Sequence, residues 1–214
     1  MQISPEILPR LIQAIAEVIE KNAEEVTQLD QAIGDGDHVV NLQRGIHALQ
    51  AQGAEIAQLD WAAALQKIGM ALMSTVGGAS GSLYGTLFVT MSKALRDKTA
   101  DLPAFASAFS QGVESVKLRG KADAGEKTML DVLIPAAQSL QKSADAATSS
   151  QELLADVTHA AETGVEATRN MLATKGRASF LGERSLGHID AGAKTAQLMI
   201  AAIAAVIASS GAPT

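Results

Sequence analysis

Residues 4–30 read SPEILPRLIQAIAEVIEKNAEEVTQLD, and they show a period that recurs through the whole chain. Ser4 followed by Pro5 is a helix start signal, because a serine side chain caps free backbone amides and proline is preset for the first turn. Apolar residues then recur at spacings of three and four: Leu8, Leu11, Ile12, Ile15, Val18 and Ile19. Val26 and Leu29 extend the pattern. The stretch therefore predicts a long amphipathic helix.

The same period predicts seven further helices. They span about residues 38–50, 60–75, 81–95, 102–118, 128–141, 151–173 and 192–208. Pro135 lies inside the sixth of the eight helices, where we expect a kink or a locally opened hydrogen bond. No segment shows strand alternation, and helices of roughly 25 Å with short connectors pack antiparallel to their sequence neighbours. The sequence therefore predicts one all-α domain over residues 1–214, an eight-helix up-and-down bundle.

The composition excludes several classes of protein. The 214 residues include 17 Lys and Arg against 23 Asp and Glu, which gives a formal net charge of −6, and only 3% are aromatic. A protein that binds nucleic acid needs a basic face, so this balance argues against nucleic acid as a partner. The chain has no cysteine, which excludes disulfides, thiolate metal sites and a cysteine nucleophile.

No targeting segment or membrane span is predicted. The first residues include Pro5 and Arg10 and do not resemble a signal peptide. The longest apolar run, from Leu198 to Ala208, is shorter than the roughly 20 residues that a membrane crossing needs. We therefore expect a soluble, cytoplasmic protein that does not bind a membrane.

The connectors between the predicted helices are of two kinds. In an up-and-down bundle the first, third, fifth and seventh connectors share one end. These four contain most of the unusual polar clusters, in the strings LDQAIGDGDH, STVGGASG, LRGKADAGEKT and TKGRASFLGERSLGHIDAG. The other three, near residues 52–58, 96–101 and 143–150, have the composition of solvated turns. The candidate active site is therefore at the end where the four polar connectors meet.

Three aspartates lie close together in the first connector: Asp30, Asp35 and Asp37. Glycines at positions 34 and 36 let the backbone fold tightly enough for the carboxylates to face one point. Carboxylates a few ångströms apart repel by about 4 kcal/mol per pair at an intermediate dielectric, and Mg²⁺ or Ca²⁺ would relieve this repulsion. The alternative is a solvated acidic turn in which Asp37 caps the next helix. The spacing excludes an EF-hand.

The third connector contains the small-residue string GGASG at residues 77–81. Free amides at a helix N-terminus, bared by small residues, make a good anion site, whereas the alternative is a flexible turn between helices. The string is not a P-loop, because no Gly-Lys-Ser/Thr follows. It is not a hydrolase nucleophile elbow either, because Ser82 stands where that motif needs glycine.

The seventh connector is long for a single domain, and loops of this length are often functional lids. It carries the basic residues Lys175, Arg177, Arg184 and His188. A planar guanidinium suits phosphate oxygens, whereas the alternative is a mobile surface loop whose charges keep it soluble. Carboxylates, free amides and cations together form the inventory for phosphoryl transfer. Two Mg²⁺ ions would nearly balance three carboxylates that face a diphosphate.

Four strings of the sequence closely resemble those of one family: LDQAIGDGDH, VGGASGSLYGT, RGKADAGEKTMLDV and KGRASFLGERSLGHIDAGA. It comprises the nucleotide-binding L subunits of bacterial dihydroxyacetone kinases of the phosphotransferase-dependent type. The resemblance covers essentially the whole chain and includes all four polar connectors. It implies an eight-helix antiparallel barrel that binds ADP or ATP at one end through Mg²⁺, one ion or, as the charge balance favours, two.

The resemblance also implies roles for individual residues. The family's metal-binding aspartates match Asp30, Asp35 and Asp37, and the catalytic lid arginine matches Arg177. The positions that contact phosphate, line the adenine pocket or form the lid match His38, Val39, Val40, Asn41, Ala79, Ser80, Gly120, Met129, Arg177, Asp190, Ala191 and Gly192. At Val39 and Val40 the implied contact is through the backbone.

In the family, the reaction needs other subunits. A separate K subunit holds dihydroxyacetone as a hemiaminal on its own histidine, and the L subunit supplies the γ-phosphoryl group. A phosphohistidine-carrying M subunit of the sugar phosphotransferase system recharges ADP in place. The resemblance therefore implies a kinase subunit of glycerol metabolism that is active only with its partners.

The chain departs from the family pattern at five positions. Val39 replaces a usual glycine, Leu42 a frequent methionine, Ser82 and Ala191 replace prolines, and Glu126 replaces an aspartate. None of these changes removes a carboxylate from the acidic cluster or the lid arginine. A β-branched side chain at 39 is the change that bears most directly on backbone contacts to phosphate.

Three other interpretations remain at the level of sequence. The first is a related ATP-dependent ketose kinase with a different acceptor. The second is a regulatory nucleotide-binding module, whose partner would be a transcriptional regulator. The third is a structural bundle with a degenerate site, and a homodimer is compatible with any of them.

Overall fold

The computed structural model describes residues 4–210, and in that part of the chain it contains ten α-helices, three 3₁₀ helices and no strand. The α-helices are α1 (Leu8–Lys21), α2 (Ala23–Ile33), α3 (His38–Ala51), α4 (Gly53–Ile56), α5 (Trp61–Thr75), α6 (Gly78–Leu95), α7 (Leu102–Gly120), α8 (Leu130–Asp145), α9 (Ser150–Ala167) and α10 (Ala191–Ser210). The 3₁₀ helices span Pro5–Ile7, Thr168–Asn170 and Arg177–Ser185. The all-α prediction is confirmed.

The predicted count of eight helices needs correction, because the first predicted helix is two. Asn22 separates α1 from α2, and its side-chain amide donates to the Val18 carbonyl at 2.7 Å. Asparagine side chains compete in this way with helical backbone bonds. The short α4 lies in a connector predicted to be a plain turn, and α6 starts at Gly78, three residues before the predicted start. The seventh predicted helix ends at Ala167 rather than near residue 173.

The helices form a closed ring. Going round it, the order is α1, α3, α5, α6, α7, α8, α9 and α10, and α10 packs back against α1. The short α2 continues from α1 and packs on α10 and α3. One continuous apolar core fills the ring, with Ile19, Val26 and Val132 fully buried. The ring confirms the antiparallel barrel that the resemblance implied.

Small residues allow the closest helix pair, α5 and α6, to approach. A Cβ atom on Gly69 would lie 2.9 Å from the Gly85 carbonyl oxygen, which is closer than real side chains come. Because neither position carries a side chain, the two backbones come into direct contact. This contact holds the middle of α5 against the middle of α6.

Pro135 lies inside α8, as the sequence predicted, and the helix continues through it. Proline has no N–H, so the Asp131 carbonyl loses its usual helical partner. Gly164 of α9 packs directly on this carbonyl, where a Cβ atom would leave no room. The altered backbone is therefore built into the contact between α8 and α9.

The helix α10, with 20 residues, is long and apolar enough to cross a membrane by length and composition alone. The helix is longer than the apolar run from Leu198 to Ala208, which by itself is too short to cross a membrane. Core helices of globular proteins meet the same criterion, and α10 packs between α9 and α1 in the ring. Arg10 of α1 donates to the Ser209 and Ser210 hydroxyls at its end. The buried residues of α10, which are Ala191, Ala193, Thr195, Ala196 and Leu198, all lie in its first half, and the second half is partly buried or exposed.

Candidate functional site

The N-termini of α3, α6, α8 and α10 meet at one end of the barrel and surround a cavity of about 510 Å³. All four polar connectors contribute to its lining, as the sequence predicted. Each helix N-terminus carries a partial positive charge of about half a unit and several free N–H groups. The cavity therefore has the electrostatic character of an anion site.

The way the helices are capped differs between the two ends of the barrel. At the far end, α5, α7 and α9 begin with side-chain caps on Asp60, Asp101 and Ser149. At the cavity, α3 and α6 begin without a side-chain cap. The Val39 and Val40 amides of α3 and the first-turn amides of α6 are consequently not occupied by a side-chain cap, whereas the His38 N–H donates to Asp30.

The three aspartates of the first connector form one cluster. Asp30, Asp35 and Asp37 each offer a carboxylate oxygen, and these atoms lie within 4.8 Å of one another. Gly36, with φ of +76°, provides the left-handed turn between them. Asp37 precedes α3 but its side chain makes no capping bond, so the solvated-turn alternative lacks its predicted cap. Hard oxygen ligands at this spacing fit Mg²⁺.

His38 lies beside this cluster and links three helices. Its backbone N–H donates to Asp30 at 3.1 Å, and its ring contacts the Thr195 hydroxyl at 2.9 Å and the Ser80 hydroxyl at 3.3 Å. Burial lowers the pKa of His38, although the neighbouring aspartates act in the opposite direction. A neutral imidazole therefore joins α3, α6 and α10 at the cavity wall.

The small-residue string lies in the first turn of α6 and the turn before it. Gly78 has φ of +64°, and a Cβ atom on Gly77 would overlap the side-chain amide of Asn41. Ala79 and Ser80 follow in the first helical turn and line the cavity. The glycines are therefore needed for the turn and for close approach to Asn41 of α3.

The side chains of Val39 and Val40 lie away from the cavity, unlike those of the other predicted site residues. Val39 is buried in the core, and Val40 is 59% exposed on the outside of the barrel. Neither side chain lines the cavity. Their predicted contact is through the backbone, and α3 still begins at His38 with a β-branched residue in its first turn.

The remaining predicted residues are brought together around the same cavity: Asn41, Gly120, Met129, Arg177, Asp190, Ala191 and Gly192. The sequence did not single out several other lining residues: Ile33, Leu83, Val116, Arg119, Ala122, Lys127 and Leu130. Leu83 and Val116 have the spacing of core residues, so no local signal separates them from the core. The apolar side chains line the wall around Gly120 and Met129.

The seventh connector lies in a segment, residues 168–190, that folds over the cavity and forms its lid. Arg177 is 70% exposed, and its Nε atom lies 2.9 Å from an Asp35 carboxylate oxygen. Ala173 and Ala178 of the lid are buried against Ile33 at the end of α2. The lid therefore has defined contacts with the barrel, unlike the mobile loop of the alternative interpretation.

Glu126 of the fifth connector also holds the lid. Its carboxylate accepts hydrogen bonds from the Thr174 hydroxyl at 2.8 Å and from the Asp123 N–H at 2.7 Å, and it pairs with Lys175 at 3.5 Å. These hydrogen bonds lower the pKa of Glu126. The side chain, one methylene longer than the family's usual aspartate, thus connects two of the polar connectors.

Asp190 lies where the lid joins α10. Its carboxylate accepts from the Ala193 N–H at 2.7 Å, which caps the helix, and its own N–H donates to the Thr168 hydroxyl at 3.1 Å. Desolvation raises the pKa of Asp190 to about 6, against the opposing effects of the Ala193 bond and Lys127. The group is therefore a carboxyl whose charge is disfavoured at the floor of the cavity.

Comparison with known proteins identifies the family. The model of the DAK2 domain matches residues 32–205. The chain is 41% identical over 194 residues to the PEP-dependent dihydroxyacetone kinase 1 ADP-binding subunit DhaL of Listeria innocua, covering 91% of this chain and 92% of that protein. It is 39% identical over 189 residues to the corresponding Escherichia coli subunit, covering 88% and 90%.

Among solved structures, the C. freundii dihydroxyacetone kinase in complex with AMP-PNP and Mg²⁺ has the same fold, with a TM-score of 0.73 and 23% identity. The superposition covers 96% of this chain and 34% of that protein, so the chain corresponds to about a third of it. Together with the match to the family model, these similarities show that the chain belongs to the DAK2-domain family, in which its similar relatives include ADP-binding subunits of dihydroxyacetone kinases.

Proposed function

We propose that this chain is the nucleotide-binding subunit of a dihydroxyacetone kinase. It holds ADP or ATP through Mg²⁺ and passes a phosphoryl group to dihydroxyacetone on a partner K subunit. A phosphohistidine-carrying M subunit recharges the ADP in place. The observation that carries the proposal is the meeting of three carboxylates with uncapped helix N-termini around one cavity.

The acidic cluster would hold the metal. Asp30, Asp35 and Asp37 present converging carboxylate oxygens, and a divalent cation bound there neutralises charge on the phosphates. The solved C. freundii kinase contains AMP-PNP and Mg²⁺, which supports this pairing of nucleotide and metal. Three carboxylates facing a diphosphate carry enough negative charge for two Mg²⁺ ions.

The chain's own groups would position the phosphates. The first-turn amides of α3 and α6, including those at Val39, Val40, Ala79 and Ser80, point toward the cavity end and suit anionic oxygens. Their fixed directions provide a preorganised cradle, so little reorganisation is needed when charge moves. The apolar wall around Gly120 and Met129 suits the adenine ring.

Arg177 would act from the lid side. Its guanidinium forms an ion pair with Asp35. A cation on Asp35 competes with this ion pair, and the phosphate offers the guanidinium a new bidentate partner. Metal and nucleotide together would therefore move Arg177 from the acidic cluster to the transferring group.

The exposed apolar residues indicate where a partner docks. In the described part of the chain seven large apolar side chains are exposed: Val40, Met70, Met73, Leu118, Leu172, Phe180 and Leu186. All are on the lid or on the cavity-side half of α3, α5 and α7. Apolar surface confined to the mouth of a site is typical of an interface. It supports a K subunit that approaches this end with its acceptor.

The first test is native mass spectrometry of freshly purified protein, with and without EDTA. A mass excess of ADP plus magnesium that the chelator removes is the expected result. An apo protein that gains ATP only when ATP and Mg²⁺ are added would instead favour an exchanging, ATP-dependent kinase. Absence of nucleotide under both conditions would overturn the proposal.

The second test measures phosphoryl transfer with purified K subunit and dihydroxyacetone. The expected result is product only when both subunits are present, because the acceptor is held on the other polypeptide. Transfer to another ketose but not to dihydroxyacetone would contradict the proposed acceptor. Nucleotide binding without transfer to any acceptor would favour the regulatory module.

A further inference from the structure

Lys127 is the most buried charged side chain in the described part of the chain, with 1% of its surface exposed. Its ammonium group donates to the Thr168 carbonyl at 2.6 Å and to the His188 carbonyl. No ion pair involves Lys127 within residues 4–210, and Asp190 and Asp131 act on it only through space. Two backbone carbonyls are therefore its principal partners.

These two carbonyls belong to the opposite ends of the lid. Thr168 is the first residue of the lid, and His188 is two residues before its last. They are 20 positions apart in the sequence, and one amine group holds both. The two ends of the lid, near Thr168 and His188, form its neck. Lys127 comes from the fifth connector, so it joins the neck to a segment outside the lid.

Other bonds cross the same neck. The Gly187 N–H donates to the Arg169 carbonyl at 2.8 Å, and the Ala173 N–H donates to the Ser185 hydroxyl at 3.0 Å. These bonds are neutral, whereas that of Lys127 is charge-assisted and roughly twice as strong. Lys127 is therefore a charged group that links both ends of the lid, at Thr168 and His188, to the fifth connector.

A lysine at this position has a clear energetic cost. Burial lowers the pKa of Lys127, because the charged form loses its hydration. An apolar side chain such as methionine would fill the same space without that cost. The charged amine can hold both carbonyls with strong hydrogen bonds, which methionine cannot do.

We propose that Lys127 is a positioning residue that sets the lid, and through it Arg177, over the cavity. The role of Arg177 toward the nucleotide rests on the proposed function, whereas the holding of the lid does not. Lys127 also lines the cavity, where its ammonium group is held by the two lid carbonyls. The two hydrogen bonds from Lys127 to the ends of the lid form a clasp. Without this clasp the lid opens while the barrel stays folded.

The test is limited tryptic digestion of nucleotide-free Lys127→Met. Trypsin sites at Lys175, Arg177 and Arg184 report on the lid, and the exposed sites at Arg96 and Lys98 at the far end serve as internal controls. We expect cleavage in the lid to rise on the order of tenfold, the factor that one charge-assisted hydrogen bond is worth. Cleavage at the far end should not change. Equal acceleration at both ends, or none in the lid, overturns the proposal.

A second variant separates the clasp from simple charge balance. If Lys127 served only to neutralise Asp190, the double variant Lys127→Met, Asp190→Asn would restore the slow cleavage of the lid. If Lys127 acts through the two carbonyls, the lid stays open in the double variant. Restoration of slow cleavage would therefore contradict the clasp.

A measurement on the unaltered protein covers the case in which Lys127→Met does not fold. Under native acetylation, Lys127 should react at least 100-fold more slowly than the exposed Lys121, because its amine is reached only when the neck opens. Similar rates for the two lysines would overturn the proposal. If digestion and acetylation give the expected results while nucleotide fails to bind, the clasp stands and the proposed function fails.

Discussion

The chemistry of the site depends on a few residues whose surroundings change their properties. A glycine turn brings carboxylate oxygens of three aspartates within 4.8 Å of one another. The pKa values of Asp190 and Lys127, by contrast, are shifted mainly by desolvation, which acts against the charged form of each. Exposure and neighbouring charge thus give ordinary carboxyl and amine side chains different charge properties.

Replacing Asp35 with alanine tests the acidic cluster. We expect Asp35→Ala to reduce Mg²⁺-dependent nucleotide retention on the order of 100-fold or more, because a metal ligand is lost from a set of three. Native mass spectrometry and calorimetric titration measure the change. Asp156→Ala, which removes an exposed carboxylate from α9, is the matched control and should retain nucleotide as the unaltered protein does. Full retention by Asp35→Ala would contradict the metal site.

Asp190 gives the protein a defined pH dependence. Its folded pKa of about 6 is above the ordinary 3.8, so between these values the folded chain keeps a proton that the unfolded chain has lost. The resulting stability is fully present below the ordinary pKa and is lost as the pH rises through 6. The loss amounts to up to about 3 kcal/mol by the usual conversion.

Urea unfolding at pH 5 and pH 8, without nucleotide or metal, measures this term. Asp190→Asn keeps an oxygen for the Ala193 N–H but cannot ionise. The unaltered protein should therefore lose more stability than Asp190→Asn between the two pH values. Parallel stability curves for the two proteins would show that Asp190 does not titrate as inferred.

At the scale of the helices, the two ends of the barrel differ in how their N-termini are capped. Side-chain caps satisfy the N-termini of α5, α7 and α9, whereas at the cavity Asp190 caps α10 and the N-termini of α3 and α6 have no side-chain cap. Close backbone contacts then hold the helices at the angles that the cavity requires. The packing of α8 on α9 is an example, since Gly164 lies on the carbonyl that Pro135 leaves without a partner.

Gly164→Ala tests that helix contact. A methyl group would meet the Asp131 carbonyl of α8, which is backbone and cannot rotate away. We expect a loss of about 1–3 kcal/mol in the free energy of unfolding, the usual range for overpacking. Gly53→Ala in α4 is the control, because its nearest neighbour would be 3.7 Å away. Denaturant unfolding measures both, and equal stability of the two variants would contradict the close packing.

For the whole molecule, the ligand should act as part of the structure. Four helix N-termini, three carboxylates and a lid meet in one cavity, so nucleotide with Mg²⁺ connects segments that are distant in sequence. At a concentration 100 times the dissociation constant, binding adds about 2.7 kcal/mol to the stability. For a chain of this length that corresponds to a rise in Tm of about 5–10 °C. Scanning calorimetry with ADP and Mg²⁺ measures it, and EDTA should reverse it. A Tm that ADP and Mg²⁺ leave unchanged would contradict binding at this site.

The helical period and the four glycine-rich connectors were enough to predict an all-α up-and-down bundle and the end of the candidate site, because both signals are local in sequence, whereas the barrel was implied by the family resemblance. The break at Asn22 was not predicted, because the apolar period continues through it. The short α4 was not predicted, because its segment has the composition of a solvated turn. Lys127 was missed for a different reason. Its partners are 41 and 61 residues away, and nothing in the neighbouring sequence marks a buried lysine. Burial, the pairing of Arg177 with Asp35 and the closing of the lid depend on which segments meet in space, and that is decided only when the ring of helices closes.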